Sequence, residues 1–409
     1  MLSAFRFRLY PSEEQETALK EQLETCKELH NGAIHERIEH YLTTGKGLSY
    51  VDQANALTKR RKENPEPARV HSQALQNVLK RVDTSFENFF EGRTRYPHFK
   101  KFVSSMTYPQ ASQKWIGKNS VYLSRIGRIR MVKHRAVKGK VKTVTVKEYP
   151  NGEWYAIIVA ETKDIITKAT LEIKNPVGID SGLIDFIYLS DGVHVENPKF
   201  IGSHERRIRR AQRKLSSKDR GSANRRKARM TLADRWQDYN NVKDDWQWKL
   251  ANGLVSRYDF IAYEDLSVSN MVRNHNLARA IQDASWSGFW EKVEWKARQR
   301  GILTRAVDPE YTTQECPLCH VRHRAALPVR TFLCPSCGYI AQRDFKAGIV
   351  ILQRAMREVG MDMSEFTPAE IPTAGHQTDV SHVSSKQETS SPLADEPARG
   401  IAFREAHRL

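Results

Sequence analysis

The chain has 409 residues, 39% of them hydrophobic, and its 66 lysines and arginines outnumber 48 acidic residues for a formal net charge of +18. That length holds two or three domains with real cores, while no apolar run reaches the ~18 residues of a membrane span and the N-terminus has no charged-then-apolar leader. Four of the five cysteines bunch within 22 residues, which excludes a disulfide framework spread through a secreted fold, so a cytoplasmic protein with no membrane partner is expected.

The charge is uneven. Residues 93–147 hold 15 basic and no acidic side chains, and residues 199–229 hold 13 basic and two acidic ones. Two dedicated basic surfaces on an otherwise acidic chain point to a polyanion, and nucleic acid fits better than an anionic membrane.

In chain order, Ala4 to Leu9 alternates Phe5, Phe7 and Leu9 with Arg6 and Arg8, the period of a strand. Ser12 is placed to cap a helix, with Gln15 closing a capping box, and the apolar steps from Leu19 to Tyr41 carry that helix to Gly45. A second helix is expected from about Tyr50 to Lys62, broken by Pro65 and Pro67, and a third from His71 to Phe90. The chain then switches to short basic strands between Val121 and Val146 and another from Trp154 to Ala160, which together suggest a basic β-barrel interrupted by a helical bundle. Lysines and arginines on alternate strand positions would present one charged face to phosphates.

Lys174 to Val195 reads as antiparallel strands turned at Asp191-Gly192, with one charge out of place. Asp180 follows Val177-Gly178-Ile179, where an unpaired carboxylate costs ~1–3 kcal/mol, so it is a paired buried acid, a turn residue at the strand's end or a metal ligand. Lys199 to Leu250 is helical and basic, broken near Ser216 to Ser222; Tyr258 to Leu266 is a buried strand ending in Glu264 and Asp265; Leu277 to Arg300 is one long helix stopped by Gly301; Ile302 to Val307 is a last strand. Three antiparallel strands followed by helix, strand, helix, strand and helix is the order of an α/β RNase H-like domain. Glu264 would be the second acid, with Asp265 competing for the role, and Asp344 at the start of the final helix the third. Carboxylates from two neighbouring strands and a helix can hold two Mg²⁺ ions for phosphodiester hydrolysis.

Cys316-x₂-Cys319 and Cys334-x₂-Cys337, with fourteen residues between the pairs, fit one tetrahedral structural zinc with no open position for catalysis. His320 and His323 lie between the pairs and could replace a ligand. Cys26, alone on a helix, reads as a small core residue.

Together, Gly178-Ile179-Asp180-Ser181-Gly182, Tyr263-Glu264-Asp265-Leu266, the double CxxC, Arg343-Asp344, Gly221-Ser222-Ala223-Asn224-Arg225 and Ile281-Gln282-Asp283-Ala284-Ser285-Trp286 resemble transposon-encoded TnpB proteins, as do Tyr96-Pro97-His98-Phe99-Lys100 and the opening strand. The resemblance runs from about residue 4 to 358. It implies an RNA-guided DNA endonuclease related to the type V CRISPR effectors, with a RuvC nuclease fold, a guide RNA from the transposon end, a double-stranded DNA target and a short flanking motif read by protein. It implies Asp180, Glu264 and Asp344 as the nuclease triad, and the four cysteines as zinc ligands. The implied division is 1–10 and 91–170 as a wedge-like β-barrel, 11–90 as a recognition bundle, 171–311 and 342–360 as the RuvC-like nuclease, 312–341 as an inserted zinc ribbon and 361–409 as a disordered tail. A monomer within a nucleoid-associated ribonucleoprotein is expected.

The resemblance places the second and third helices against the flanking DNA, where Tyr50, Gln73, Gln76 and Asn77 are the candidates, an uncharged amide being what reads an adenine edge. One departure stands out. Where the family has Asp-Arg-Asp followed by Asn, two alanines and Asn, this chain has Gln342-Arg343-Asp344-Phe345-Lys346-Ala347-Gly348-Ile349-Val350. A cleavage-deficient guide-bound repressor is therefore the alternative function, and a DDE-type transposase of the same fold is disfavoured by the zinc position and the basic helical insert.

Overall fold

The structure, a computed structural model, describes residues 2–63, 69–162, 173–323 and 329–361. Pro65 and Pro67, part of the zinc ribbon (324–328), the end of the barrel segment (163–170) and the tail from 362 lie outside the described residues. Contacts divide the chain into two compact units, Met1–Lys163 with Ser217–Ala233, and Asp164–Ser216 with Asp234–Leu409.

The first unit opens with β1 (Leu2–Tyr10), whose Phe5, Phe7 and Leu9 are buried on one side, as a period of two requires. Helix α1 (Glu13–Thr44) then starts on the expected capping box: the Ser12 hydroxyl accepts from the Gln15 N–H at 3.2 Å, and the Ser12 N–H donates to Gln15 Oε1 at 3.1 Å. Gly45 ends it with a φ of 69°, the left-handed conformation glycine takes without steric cost. Helices α2 (Tyr50–Glu63) and α3 (Ser72–Phe90) complete the bundle. The three helices are tied by the buried Arg37 of α1, which donates to Gln53 of α2 at 2.8 Å and Asp83 of α3 at 2.9 Å.

Strands β2 (Ser105–Tyr108), β3 (Ser120–Leu123), β4 (Gly127–Val132), β5 (Lys140–Glu148) and β6 (Trp154–Glu161) join β1 in one antiparallel sheet, in the order β2-β5-β6-β1-β4-β3. Ile129 and Met131 of β4 point inward and Arg128 and Arg130 outward, so the sheet carries the expected charged face. Among the described residues no ladder joins β2 to β3, so in place of the expected barrel the structure has a six-stranded sheet with those two strands at its edges.

The second unit is built on β7 (Pro176–Ser181), β8 (Asp185–Leu189), β9 (His194–Glu196), β10 (Phe260–Glu264) and β11 (Leu303–Val307), in the order β11-β10-β7-β8-β9. The first three strands are antiparallel neighbours, and β10 and β11 run parallel to β7. The succession of strands and helices along the chain is the one expected from the sequence, with the Asp191-Gly192 turn joining β8 to β9. Helices α4 (Phe200–Ser216) and α5 (Ala223–Arg257) precede β10, and the division between the units falls inside α5.

One expectation is corrected. The single helix expected over Leu277–Arg300 is two: after the short α6 (Val268–Met271) come α7 (His275–Ala284) and α8 (Trp286–Arg300). Ser285 breaks them apart with a φ of 54°, and the preceding Asp283 is buried, accepting from the Ile201 N–H at 3.0 Å and the Tyr239 hydroxyl at 2.8 Å. Those two bonds fix the end of α7 against α4 and α5. After β11 come the ribbon strands β12 (Thr331–Leu333) and β13 (Ile340–Gln342), then α9 (Arg343–Glu358).

Helix α9 lies directly on the sheet because two glycines allow it. A Cβ on Gly178 would sit 2.1 Å from the Gly348 carbonyl oxygen, and one on Gly348 would sit 3.0 Å from the Ser190 nitrogen. Gly348, a departure from the family pattern, thus sets how closely α9 approaches β7.

Candidate active site and metal knuckle

Asp180 ends the apolar run of β7 and Glu264 ends β10, and both are buried. The register pairs Ile179 with Tyr263, so the acids follow side by side at the ends of adjacent parallel strands, close enough for the charge of Glu264 to act on Asp180. Burial raises Asp180 well above the usual carboxylate range, and the charges of Glu264 and Asp344 push it further. Burial raises Glu264 as well, opposed by hydrogen bonding from Thr312 and the charge of Arg354. Asp265, one residue later, is exposed.

The third acid arrives on α9. Gln342 caps that helix, its Oε1 accepting from the Phe345 N–H at 2.6 Å, and the amide of the same side chain donates to Asp344 at 3.3 Å. Arg330 holds the Asp344 carboxylate from the other side at 3.1 Å. Asp180, Asp344, Arg330 and a fourth acid, Asp185, line one cavity of about 90 Å³. Asp344 thus shares a cavity with Asp180, while Glu264 does not line it, and among the described residues only the four cysteines bring three or more potential ligand atoms within 4.8 Å of one another. A divalent cation would compensate the charge of the buried acids.

A layer of support lies behind the acids. The Thr312 hydroxyl donates to Glu264 Oε1 at 2.5 Å. The turn carrying Thr312 is held by Lys346, which is fully buried: its Nζ donates to the carbonyls of Thr312 and Glu315, both at 2.8 Å, and lies 4.5 Å from the Phe332 ring centre. Burial pulls the Lys346 ammonium down to about 8. In the sequence Lys346 reads only as a family departure; in the structure it pins the turn that holds Glu264. Thr312, Arg330 and Asp185 carry no local signal of their role. Lys346 is buried on α9 together with Arg343, the two charges among that helix's otherwise apolar buried residues.

The four cysteine sulfurs all lie within 4.8 Å of one another, with Cys316 to Cys337 at 3.6 Å and Cys319 to Cys334 at 3.5 Å. A tetrahedron with metal–sulfur bonds of ~2.3 Å has edges of about 3.8 Å, whereas a disulfide needs ~2.05 Å, so the set fits a closed four-thiolate metal site. Each knuckle is turned by a residue of positive φ, His320 at 58° and Gly338 at 78°, whose N–H donates to the first cysteine's carbonyl. Neither histidine displaces a thiol: His320 contacts Glu315 and Arg357, and His323 lies 3.4 Å from the Cys334 sulfur. Cys26 is a buried free thiol in the first unit's core, as expected.

The flank candidates lie in the first unit. Gln73, Gln76 and Asn77 are half-buried on α3, whose Leu75 and Leu79 pack inward. Gln73 donates to Gln110 at 2.5 Å, and Tyr50 of α2 lies under the Lys80 ammonium.

Three family descriptions match the chain in separate parts: "Helix-turn-helix domain" over residues 1–46, "Probable transposase" over 156–275, and "Cas12f1-like, TNB domain" over 286–351, which takes in all four cysteines. A Streptomyces pristinaespiralis protein named "Putative RNA-guided DNA endonuclease" is 32% identical over 359 residues, 85% of this chain and 88% of its own length. The chain belongs to the TnpB family. A second relative, named "Putative RNA-guided DNA endonuclease InsQ" in Escherichia coli (strain K12), is 30% identical over 377 residues, covering 86% of this chain and 92% of its own. In the fold, the chain resembles Cas12f1 as solved by cryo-EM with single guide RNA and target DNA, at a TM-score of 0.56 and 12% identity over 86% of this chain and 98% of that one. Among the described residues no helix is long and apolar enough to cross a membrane.

Proposed function

We propose that the chain is a transposon-encoded RNA-guided DNA endonuclease, with Asp180, Glu264 and Asp344 as the ligands of two Mg²⁺ ions. The observation that carries the reading is the arrival of Asp180 and Glu264, both buried, at the ends of neighbouring parallel strands, with α9 bringing Asp344 into the cavity that Asp180 lines. Bound there, a pair of divalent cations supplies an activated water and stabilises the leaving oxygen of a phosphodiester. The chain's own contribution is positioning: Thr312 orients Glu264, Gln342 orients Asp344, and the Gly178–Gly348 contact sets the helix-to-strand distance. Cys316, Cys319, Cys334 and Cys337 hold a structural zinc. A guide RNA and a double-stranded target are the partners of a monomeric ribonucleoprotein, and Tyr50, Gln73, Gln76 and Asn77 read the flanking motif. The two basic surfaces give binding that weakens steeply with salt.

A second reading, a guide-bound protein that does not cut, is favoured by one feature: Asp344 already has a cationic partner in Arg330. Cleavage of a guide-matched DNA in Mg²⁺ separates the two. Asp180→Ala and Glu264→Ala each abolish cutting while sparing RNA and DNA binding, and Asp265→Ala cuts normally; cutting above a few per cent by either of the first two removes that residue from the triad.

A further inference from the structure

Residues 91–104 run between α3 and β2 with neither helix nor strand, yet their course is pinned. Asn31 of α1 clamps Lys100 from both sides, its Nδ2 donating to the Lys100 carbonyl at 2.9 Å and its Oδ1 accepting from the Lys100 N–H at 2.8 Å. Upstream, the N–H groups of Arg93 and Thr94 both donate to the Asn88 carbonyl, and Tyr96 meets the rings of Phe86 and Phe89 edge-on at 5.7 and 5.1 Å. On this fixed backbone four large rings face outward: Phe90, Tyr96, Phe99 and Phe102 are between 48% and 78% exposed. Exposed Arg93, Arg95 and Lys101 are interleaved with them, and no acidic residue follows until beyond Lys147.

Single apolar residues on a surface need no explanation, but four rings within 13 residues of pinned, basic chain do. Rings offer faces to unstacked bases, and the neighbouring cations offer charge to the phosphates between them. A duplex cannot use such a surface, because its bases are already stacked on one another.

We propose that Phe90 to Phe102 is a stacking platform for an unpaired stretch of the guide RNA. The proposal rests on the reading of the chain as RNA-guided, and it names the guide because a target strand, engaged only during cutting, would leave these rings bare the rest of the time. Charge complementarity and the preformed backbone are its basis: the segment is ordered before any strand arrives, so little entropy is lost on binding.

The test uses the full chain with three labelled probes: a 20-mer of oligouridylate, a 20-base-pair RNA duplex and a 20-mer of oligothymidylate. Phe99→Ala with Phe102→Ala weakens oligouridylate binding by about 30-fold or more, within the range alanine substitution of stacking rings gives, without changing the salt slope or the melting temperature. The Trp pair at the same positions stays within about threefold of wild type, and duplex binding is unmoved. Arg95→Gln with Lys101→Gln instead lowers the salt slope, by about 1.4 if each contacts one phosphate. Equal binding by wild type and the alanine pair overturns the platform, as does an equal loss on the duplex. A larger loss on oligothymidylate than on oligouridylate overturns the assignment to RNA. If wild type binds none of the RNA probes, the RNA-guided reading falls with it.

Discussion

Removing one hydroxyl behind the acids tests whether the support seen in the second unit serves the chemistry. Thr312→Val keeps the shape of a side chain that is 2% exposed and deletes its donation to Glu264. A hydrogen bond to a charged group contributes ~1.5–3 kcal/mol, and no water can replace this donor in so buried a place, so the loss corresponds to about 10- to 150-fold in divalent-ion affinity. The direction is set by charge: the Thr312 bond favours ionised Glu264, and without it burial holds the carboxyl in its protonated form more strongly. The assay is direct binding of Mn²⁺, read by its paramagnetic signal, on wild type, Thr312→Val and Thr312→Ser, alongside cleavage rates and zinc content. Weakened Mn²⁺ binding in the valine variant, recovery in the serine variant and unchanged zinc are expected. Unchanged Mn²⁺ affinity in Thr312→Val would refute the claim that this hydroxyl orients a ligand.

Four further outcomes follow from the same geometry. Asp180→Asn abolishes cleavage yet raises the melting temperature of the metal-free protein: the folded carboxyl sits above its unfolded value, so its penalty is absent below pH ~4 and grows as the pH rises, and melting from pH 4 to 7 in a chelator shows the gap widening or refutes it. Arg330→Gln lowers the Mg²⁺ concentration for half-maximal cutting by no more than about fivefold, because the Arg330–Asp344 pair is half-exposed on the arginine side and such pairs contribute ~0.2–1 kcal/mol; no change in a Mg²⁺ titration would show that the pair does not compete with the metal. Cys334→Ser releases the one zinc per chain and lowers the stability of the C-terminal part, and elemental analysis finding no zinc in fresh wild type would contradict the assignment. Gln76→Ala relaxes flank preference by ~1–3 kcal/mol in a randomised-flank cleavage library while sparing guide binding, and an unaltered preference removes Gln76 from recognition.

What the sequence disclosed, and what it hid, divides by range. The capping box at Ser12 and Gln15, the left-handed stop at Gly45 and the alternation of β1 and β4 are local, and the structure has each of them. The chain order of strands and helices in the second unit, and the placing of Glu264's strand beside Asp180's, were also legible, since an odd acid in an apolar strand and a run of alternating strands and helices constrain topology strongly. The break at Ser285 was not, because the apolar positions Ile281, Phe289 and Val293 keep a helical rhythm across it, and the bonds that fix the bend come from Ile201 and Tyr239. Thr312 and Arg330 were equally silent: each acts on an acid 48 or 14 residues away. Lys346 and Gly348 were visible but misleading as departures from a pattern, for a buried ammonium is informative only once the two carbonyls it holds are known, and a helix glycine only once the strand beneath it is known.

The central claim is guided cleavage of DNA. Purified with the RNA that accompanies it, the protein should be given a library of double-stranded DNA in which one member matches the variable end of that RNA, in Mg²⁺ and again in a chelator. Cutting of the matched member alone, only with Mg²⁺, and lost in Asp180→Ala is the expected result; cutting of all members alike, or of none with the RNA bound and Mg²⁺ present, would contradict guided cleavage.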